Sequence, residues 1–191
     1  MNIANKITIA RIFLVPLIMF FLLVNLELPP IRIETFEITY NQIIAALIFI
    51  IAASTDGIDG YIARKQQMVT NLGKLLDPLA DKLLVSAVLI SLVEMGKLDA
   101  WIAVVIISRE FAVTGLRQIA LLEGKVMAAS KWGKWKTAVQ ITAIIALLIN
   151  NFPFHFIGFP FDVIASWVMA VITIYSGIDY FMKNKDLIPI Q

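Results

Sequence analysis

The stretch D-G-I-D-G-Y-I-A-R-K-Q-Q-M-V-T-N-L-G-K-L-L-D-P-L-A-D, residues 56–81, lies between two long apolar segments and carries four carboxylates. These are Asp56, Asp59, Asp77 and Asp81. A carboxylate in apolar surroundings is costly unless a partner or a cation compensates its charge, and such residues are functional candidates by default. The folded protein must therefore compensate the negative charge of this stretch.

The first pair of aspartates has the spacing of one helical face. Asp56 and Asp59 are three residues apart, and Gly60 and Ala63 continue along the same face. Because these two residues have almost no side-chain bulk, a ligand could approach the backbone beside the carboxylates. The pattern predicts a binding face rather than a packing face.

The second pair repeats the arrangement, since Gly73, Asp77 and Asp81 follow one another at intervals of four residues. Two such faces packed together would gather four carboxylates around one point. Like charges at that distance cannot all stay ionised without cations, and hard divalent ions prefer carboxylate oxygens. We therefore predict two divalent cations, Mg²⁺ or Mn²⁺, about 3.5 to 4 Å apart, in a site that clamps a transferring phosphoryl group.

Simpler structural interpretations exist for parts of this stretch. Asp77-Pro78 alone fits a helix N-cap followed by proline in the first turn. Gly57, Gly60 and Gly73 alone would fit close packing of membrane helices. A cap, however, explains neither Gly73 nor Asp81.

Composition indicates a membrane protein. The chain has 191 residues, of which 60% are hydrophobic and 16% charged, and its mean hydropathy is +0.85; an ordinary soluble domain is excluded. The absence of cysteine excludes disulfides and thiol chemistry. No P-loop and no G-x-G-x-x-G occurs, which argues against an ATP-driven pump and a dinucleotide enzyme. We expect residues 1–191 to form a single membrane-embedded catalytic domain with no nucleic-acid partner.

The apolar runs predict an all-α integral membrane fold with six transmembrane helices and an amphipathic interfacial N-terminal segment. A span needs about 20 residues. The predicted spans are residues 12–26, 41–61, 73–93, 100–122, 134–149 and 161–182, with a polar loop at 27–40. Basic residues of the connectors collect on the side of both termini, whereas Arg32 and Lys97 lie opposite. By the positive-inside rule, both termini and the aspartate stretch face the cytoplasm.

A second group of charges lies in the fourth and fifth predicted helices. Arg109, Glu110 and Arg117 fall inside one span, and Lys134 and Lys136 open the next. One interpretation is an internal ion pair with Glu110 or with the aspartates. The other is a cationic pocket for a small acceptor that carries its own phosphate, because arginine forks match phosphate oxygens.

At residues 56–81 the chain resembles a known family. The pattern D-x2-D-G-x2-A-R-x8-G-x3-D-x3-D is that of the CDP-alcohol phosphotransferases, integral membrane enzymes of phospholipid synthesis, and every fixed position and gap matches. The resemblance implies that the four aspartates bind two divalent cations, that Asp81 is the general base and that the enzyme is a homodimer. It implies a CDP-binding set of Asp56, Asp59, Gly60, Ala63, Arg64 and Gly73.

Softer patterns resemble the phosphatidylglycerolphosphate synthase branch of that family. They are N-x2-T-x2-R at residues 5–11, S-R-E at 108–110 and G-K-V-M-A-A-S-K-W-G-K-W-K-T-A-V-Q at 124–140. The implied reaction, at the cell (plasma) membrane, transfers the phosphatidyl group of CDP-diacylglycerol to glycerol 3-phosphate and gives phosphatidylglycerol phosphate and CMP. Candidate contacts to the acceptor phosphate are Arg11, Arg109, Arg117, Lys134 and Lys136.

Two other functions stay open at this point. Within the family, the acceptor could be phosphatidylglycerol or inositol phosphate. From a different class, the chain could be an ion-conducting transporter whose intramembrane aspartates and arginines form the ion pathway.

Overall fold

The computed structural model describes residues 3–24, 26, 29–65, 71–122, 124 and 131–184, and it describes the side chains of 7–24, 26, 29–55, 78–120, 124 and 132–184. This part of the chain is almost entirely α-helical, so the predicted all-α class is confirmed. Six long helices are described: α1 (Ile3–Leu23), α2 (Tyr40–Lys65), α3 (Asn71–Glu94), α4 (Ala100–Leu122), α5 (Lys131–Leu148) and α6 (Phe161–Lys183).

The helices pack in two groups that share one core. Helix α1 contacts α2 and α3, and α6 contacts α4 and α5, while α3–α4 and α2–α5 contacts join the groups. Buried alanines such as Ala45 and Ala143 allow close approach of the backbones. Each helix contributes a fully buried apolar side chain to the shared core: Ile18, Phe49, Leu89, Ile106, Ile144 and Met169.

The N-terminal residues do not form a separate interfacial segment. They belong to the same helix as the first apolar run, and α1 continues from Ile3 to Leu23 with Pro16 inside it. Thr8 and Arg11 are fully buried, against the prediction of a surface-lying segment. The reason is that α1 packs along α3, which gives these polar side chains a place inside the bundle.

The predicted loop at residues 27–40 contains a β-hairpin. Strands β1 (Ile31–Ile33) and β2 (Phe36–Ile38) are antiparallel, with Ile31 opposite Ile38. Phe36 is buried against the rings of Phe152, His155 and Phe156, with centroids 5.7, 5.4 and 5.6 Å away. The hairpin therefore caps the loop and short 3₁₀ helix that connect α5 to α6.

Polar side chains tie this cap to the bundle. Asn150 Nδ2 donates to the Glu37 carbonyl oxygen at 2.6 Å and to Gln42 Oε1 at 3.2 Å. Lys97, in the turn between α3 and α4, donates to the Leu147 carbonyl oxygen at 3.3 Å and also to Asn150 Oδ1. The Lys97 ammonium thus links the turn between α3 and α4 to α5 and to the loop that follows α5.

Burial lowers the pKa of Lys97 from its usual 10.5 to about 8, and the negative charge of Asp162 opposes this shift only in part. Between pH 8 and pH 10.5 the unfolded chain therefore binds more protons at this group than the folded protein does, so its contribution to stability rises with pH. The free energy of unfolding gains about 3 kcal/mol from this group across that window, since one pKa unit corresponds to about 1.4 kcal/mol.

Lys97→Met is expected to flatten the pH dependence of stability above pH 8. The measurement is the thermal unfolding midpoint of the detergent-solubilised protein, taken across this pH range for wild type and variant. Lys183→Met, at an exposed lysine on α6, is the matched control and should keep the wild-type slope. Equal slopes for Lys97→Met and wild type would show that the buried ammonium does not titrate in this window.

Of the described helices, α6 alone is long and apolar enough, by length and composition, to cross a membrane. Shorter apolar helical stretches are Ile7–Leu23 in α1 and Tyr40–Thr55 in α2. Helices α3 and α4 carry charged side chains within their length, as at Asp81 and Arg109.

Candidate active site

A cavity of about 760 Å³ opens between α2, α3, α4, α5 and α6. Five of the residues predicted from sequence to serve catalysis or acceptor binding line it: Asp81, Arg109, Arg117, Lys134 and Lys136. They come from three helices, since α3 provides the aspartate, α4 the arginines and α5 the lysines. Asp81 and the basic residues of α4 and α5, which are separate in sequence, thus share one cavity.

Arg11 of α1 reaches Asp81 from outside the cavity lining. Its Nη1 atom lies 3.6 Å from Asp81 Oδ1, and its side chain is 1% exposed, whereas that of Asp81 is 45% exposed. A fully buried guanidinium therefore contacts a carboxylate whose surface remains accessible. Arg11, predicted as a contact to the acceptor phosphate, is not among the residues that line the cavity.

Glu110 joins two cations in the cavity wall. Arg109 Nη1 lies 3.4 Å from Glu110 Oε1, and Lys136 Nζ pairs with the same oxygen. Arg109 Nη2 also donates to Ser176 Oγ of α6 at 2.6 Å. The predicted ion pair within α4 is present, and the same arginine also lines the cavity. Binding of an acceptor phosphate there stays a prediction.

The described lining is rich in positive charge. Five basic side chains face two carboxylates, Asp81 and Glu110. Concave surfaces of one charge sign concentrate ligands of the opposite sign. The basic members are Lys82, Arg109, Arg117, Lys134 and Lys136. The cavity is therefore suited to an anion.

Lys82 was missed by the sequence interpretation. It follows Asp81 directly and lines the same cavity, with its Nζ donating to the Pro78 carbonyl oxygen at 3.0 Å. On a helix, a neighbour in sequence is rotated by about 100°, so the four-residue spacing that identified the aspartates passes over it. A basic residue adjacent to a predicted catalytic carboxylate was the available signal.

Two residues of α6 were also missed, Ser176 and Tyr180. Ser176 is buried and bonded to Arg109, and Tyr180 is buried and lines the cavity. Neither carries a motif, because both reach the site through packing of α6 on α4. Only the tertiary structure could have identified them.

The other predicted site residues lie where the backbone is described and the side chains are not. Asp56, Asp59, Gly60, Ala63 and Arg64 fall in α2, and Gly73 and Asp77 fall in α3. The helical spacing assumed for both aspartate pairs is therefore present in the backbone. Within the described side chains, which include Asp81 alone of the four aspartates, no group of three metal-binding side chains occurs. The metal site stays a prediction.

Comparison with known proteins gives a family match over most of the chain. The family model for CDP-alcohol phosphatidyltransferase matches residues 1–175. A Bacillus subtilis (strain 168) protein named CDP-diacylglycerol--glycerol-3-phosphate 3-phosphatidyltransferase is 50% identical over 183 residues, covering 96% of this chain and 95% of the relative. Proteins of the same name from Rickettsia bellii and Haemophilus influenzae are 36% and 37% identical, again over 96% of this chain and over 96% and 94% of their own lengths.

Proposed function

The chain belongs to the CDP-alcohol phosphatidyltransferase family, and from that membership we propose that it transfers the phosphatidyl group of CDP-diacylglycerol to glycerol 3-phosphate. The products are phosphatidylglycerol phosphate and CMP. The observation that carries the proposal for this chain is the cavity in which Asp81 lies among five basic side chains. A base and an anion-binding wall are what this reaction requires of a protein.

The positive lining supports an acceptor that bears a phosphate. Arginine presents a fork of donors that fits phosphate oxygens, and lysine adds a point charge. Arg109, Arg117, Lys134 and Lys136 are the contacts that we propose for the acceptor phosphate. Among the described residues of the lining, five basic side chains face two carboxylates, and an acceptor that carries a phosphate would supply further negative charge.

Asp81 is the proposed general base. It accepts the proton of the glycerol 1-hydroxyl while the hydroxyl oxygen forms a bond to the phosphatidyl phosphorus and the bond to CMP breaks. Its accessible carboxylate at the cavity fits this role. Arg11, buried against it, is assigned to holding Asp81 in place rather than to binding the acceptor.

The donor set fits hard divalent cations, because it consists of carboxylate oxygens alone. We propose that Asp56, Asp59, Asp77 and Asp81 hold two ions, Mg²⁺ or Mn²⁺. When bound, such ions would neutralise the phosphates of the CDP group and the charge that develops on the leaving CMP. For the CDP group itself we propose Gly60, Ala63, Arg64 and Gly73 beside the first aspartate pair.

We further propose that the chain is one membrane-embedded domain of six transmembrane helices in the plasma membrane, with both termini and the cavity on the cytoplasmic side. Exposed large apolar side chains on every helix support membrane embedding, because soluble proteins rarely expose this much apolar surface. Examples are Phe13, Leu47, Ile90, Val104, Trp135 and Val171. A homodimer is expected from the family resemblance.

The test is CMP release by the purified protein in mixed micelles of CDP-diacylglycerol. We expect release that depends on both glycerol 3-phosphate and a divalent cation. Faster release with phosphatidylglycerol or inositol phosphate would keep the family and change the acceptor. Ion flux through liposomes that needs no nucleotide, without CMP release, would instead favour the transporter.

A further inference from the structure

Two adjacent residues of α6 contact Arg109 at the cavity wall. Ser176 is fully buried, and its Oγ accepts a hydrogen bond of 2.6 Å from Arg109 Nη2. The residues are 67 positions apart, so this bond joins two different helices. It is the shorter of the two hydrogen bonds from the Arg109 guanidinium to described side chains, since the bond to Glu110 measures 3.4 Å.

The next residue, Gly177, makes room for the same arginine. A Cβ atom added at Gly177 would lie 3.2 Å from Arg109 Cγ, which is closer than ordinary van der Waals contact. The glycine has no unusual backbone angle that would otherwise require it. Ser176 therefore binds the end of the Arg109 side chain while Gly177 accommodates its stem.

The guanidinium has few other constraints in the described part of the chain. Arg109 Nε is buried there without a hydrogen-bond partner. Glu110, the second acceptor, also pairs with Lys136 and is thus shared between two cations. The orientation of the Arg109 fork consequently depends largely on the Ser176 hydroxyl.

We propose that Ser176 and Gly177 are positioning residues that set the affinity of the cavity for a phosphomonoester acceptor by holding Arg109 toward it. This inference rests on the proposed function, in which Arg109 binds the acceptor phosphate. A long arginine side chain loses much rotamer freedom when it binds a phosphate. Because α6 already fixes the Arg109 guanidinium, less of this entropy is lost on binding. The KM for the donor lipid should be unaffected, since Ser176 is fully buried, does not line the cavity and acts through Arg109.

The experiment compares Ser176→Ala and Gly177→Ala with wild type in the CMP-release assay. Each substrate is varied while the other is saturating. Ser176→Ala should raise the KM for glycerol 3-phosphate by roughly fivefold to tenfold, which corresponds to about one net hydrogen bond. Gly177→Ala should raise the same KM, because its methyl group would displace the stem of Arg109. The kcat and the KM for CDP-diacylglycerol should change by less than about twofold on the same reasoning.

Ser166→Ala is the matched control. Ser166 is also buried on α6, but its hydroxyl donates to the Asp162 carbonyl oxygen of the same helix at 2.5 Å. This substitution removes an equivalent buried hydroxyl and should leave both KM values unchanged. Ser176→Cys keeps the shape of the side chain, but its sulfur is a weaker hydrogen-bond acceptor, so its KM for glycerol 3-phosphate should lie between those of wild type and Ser176→Ala. It replaces Ser176→Ala in the assay if that variant does not fold.

Calorimetric titration with glycerol 3-phosphate alone separates this inference from the proposed reaction. Wild type that binds glycerol 3-phosphate without releasing CMP would overturn the reaction, and weaker binding by Ser176→Ala would still support the positioning role. Folded Ser176 variants with wild-type KM and binding would overturn the inference. An equal rise in the KM of both substrates would overturn it too, because a general structural effect would then explain the result.

Discussion

Asp81→Asn is expected to lower kcat by about a hundredfold to ten-thousandfold, the usual contribution of a general base. The amide has nearly the same shape as the carboxylate and cannot accept the proton of the acceptor hydroxyl. The fold should persist, because the Asp81 side chain is 45% exposed and the amide oxygen that replaces a carboxylate oxygen can still face the Arg11 guanidinium. The measurement is CMP release under saturating substrates, with size-exclusion profiles to verify folding.

Asp99→Asn provides the matched control for this substitution. Asp99 is exposed in the connector before α4 and does not line the cavity, so kcat should remain at the wild-type value. Raising the metal concentration distinguishes the two roles proposed for Asp81. If the activity of Asp81→Asn returns with more Mg²⁺, weakened metal binding explains the loss. If Asp81→Asn already turns over at the wild-type rate without this extra Mg²⁺, both roles are refuted.

Much of the helical framework could be predicted because its boundaries coincide with clear changes in polarity. The predicted span at 100–122 matches α4, and the span at 161–182 ends one residue before α6 does. Each of these runs is apolar and begins just after a turn, at Ala100 after Asp99 and at Phe161 after Pro160. Long, mostly apolar runs of this kind indicate a helix without tertiary information.

The hairpin at 31–38 could not be predicted in the same way. Its strands have three residues each, too few for an alternating pattern to be recognised. Pro29, Pro30 and the charged pair Arg32 and Glu37 favoured a loop. Its stability comes from the pocket around Phe36, which residues more than 100 positions later provide.

The cavity was partly predictable for an electrostatic reason. Charged side chains inside apolar segments need partners, because burying an uncompensated charge is costly. Asp81, Arg109 and Lys136 could therefore be predicted as site residues from their position alone. Their pairing was predicted only for Arg109 with Glu110, whereas the contacts of Lys136 with Glu110 and of Arg11 with Asp81 were not. Which charges meet depends on helix packing, and local sequence does not encode it.

Arg109→Lys is expected to lower kcat/KM for glycerol 3-phosphate by about tenfold to a hundredfold, with most of the change in KM. Lysine keeps the positive charge, but it has no planar fork. A single ammonium cannot hold its bonds to Ser176 and Glu110 and also present two parallel donors to a phosphate. The loss should therefore exceed that of Arg117→Lys, because Arg117 is exposed at the cavity and can be replaced by another mobile cation.

The same substitution on the hairpin, Arg32→Lys, is the control. Arg32 is exposed, pairs with Glu37 at 3.2 Å and does not line the cavity, so both KM values should stay at wild type. Steady-state kinetics with each substrate varied in turn would measure all three variants. If Arg109→Lys raised the KM for CDP-diacylglycerol instead, Arg109 would bind the nucleotide lipid, and the acceptor phosphate would have to rely on Arg117, Lys134 and Lys136.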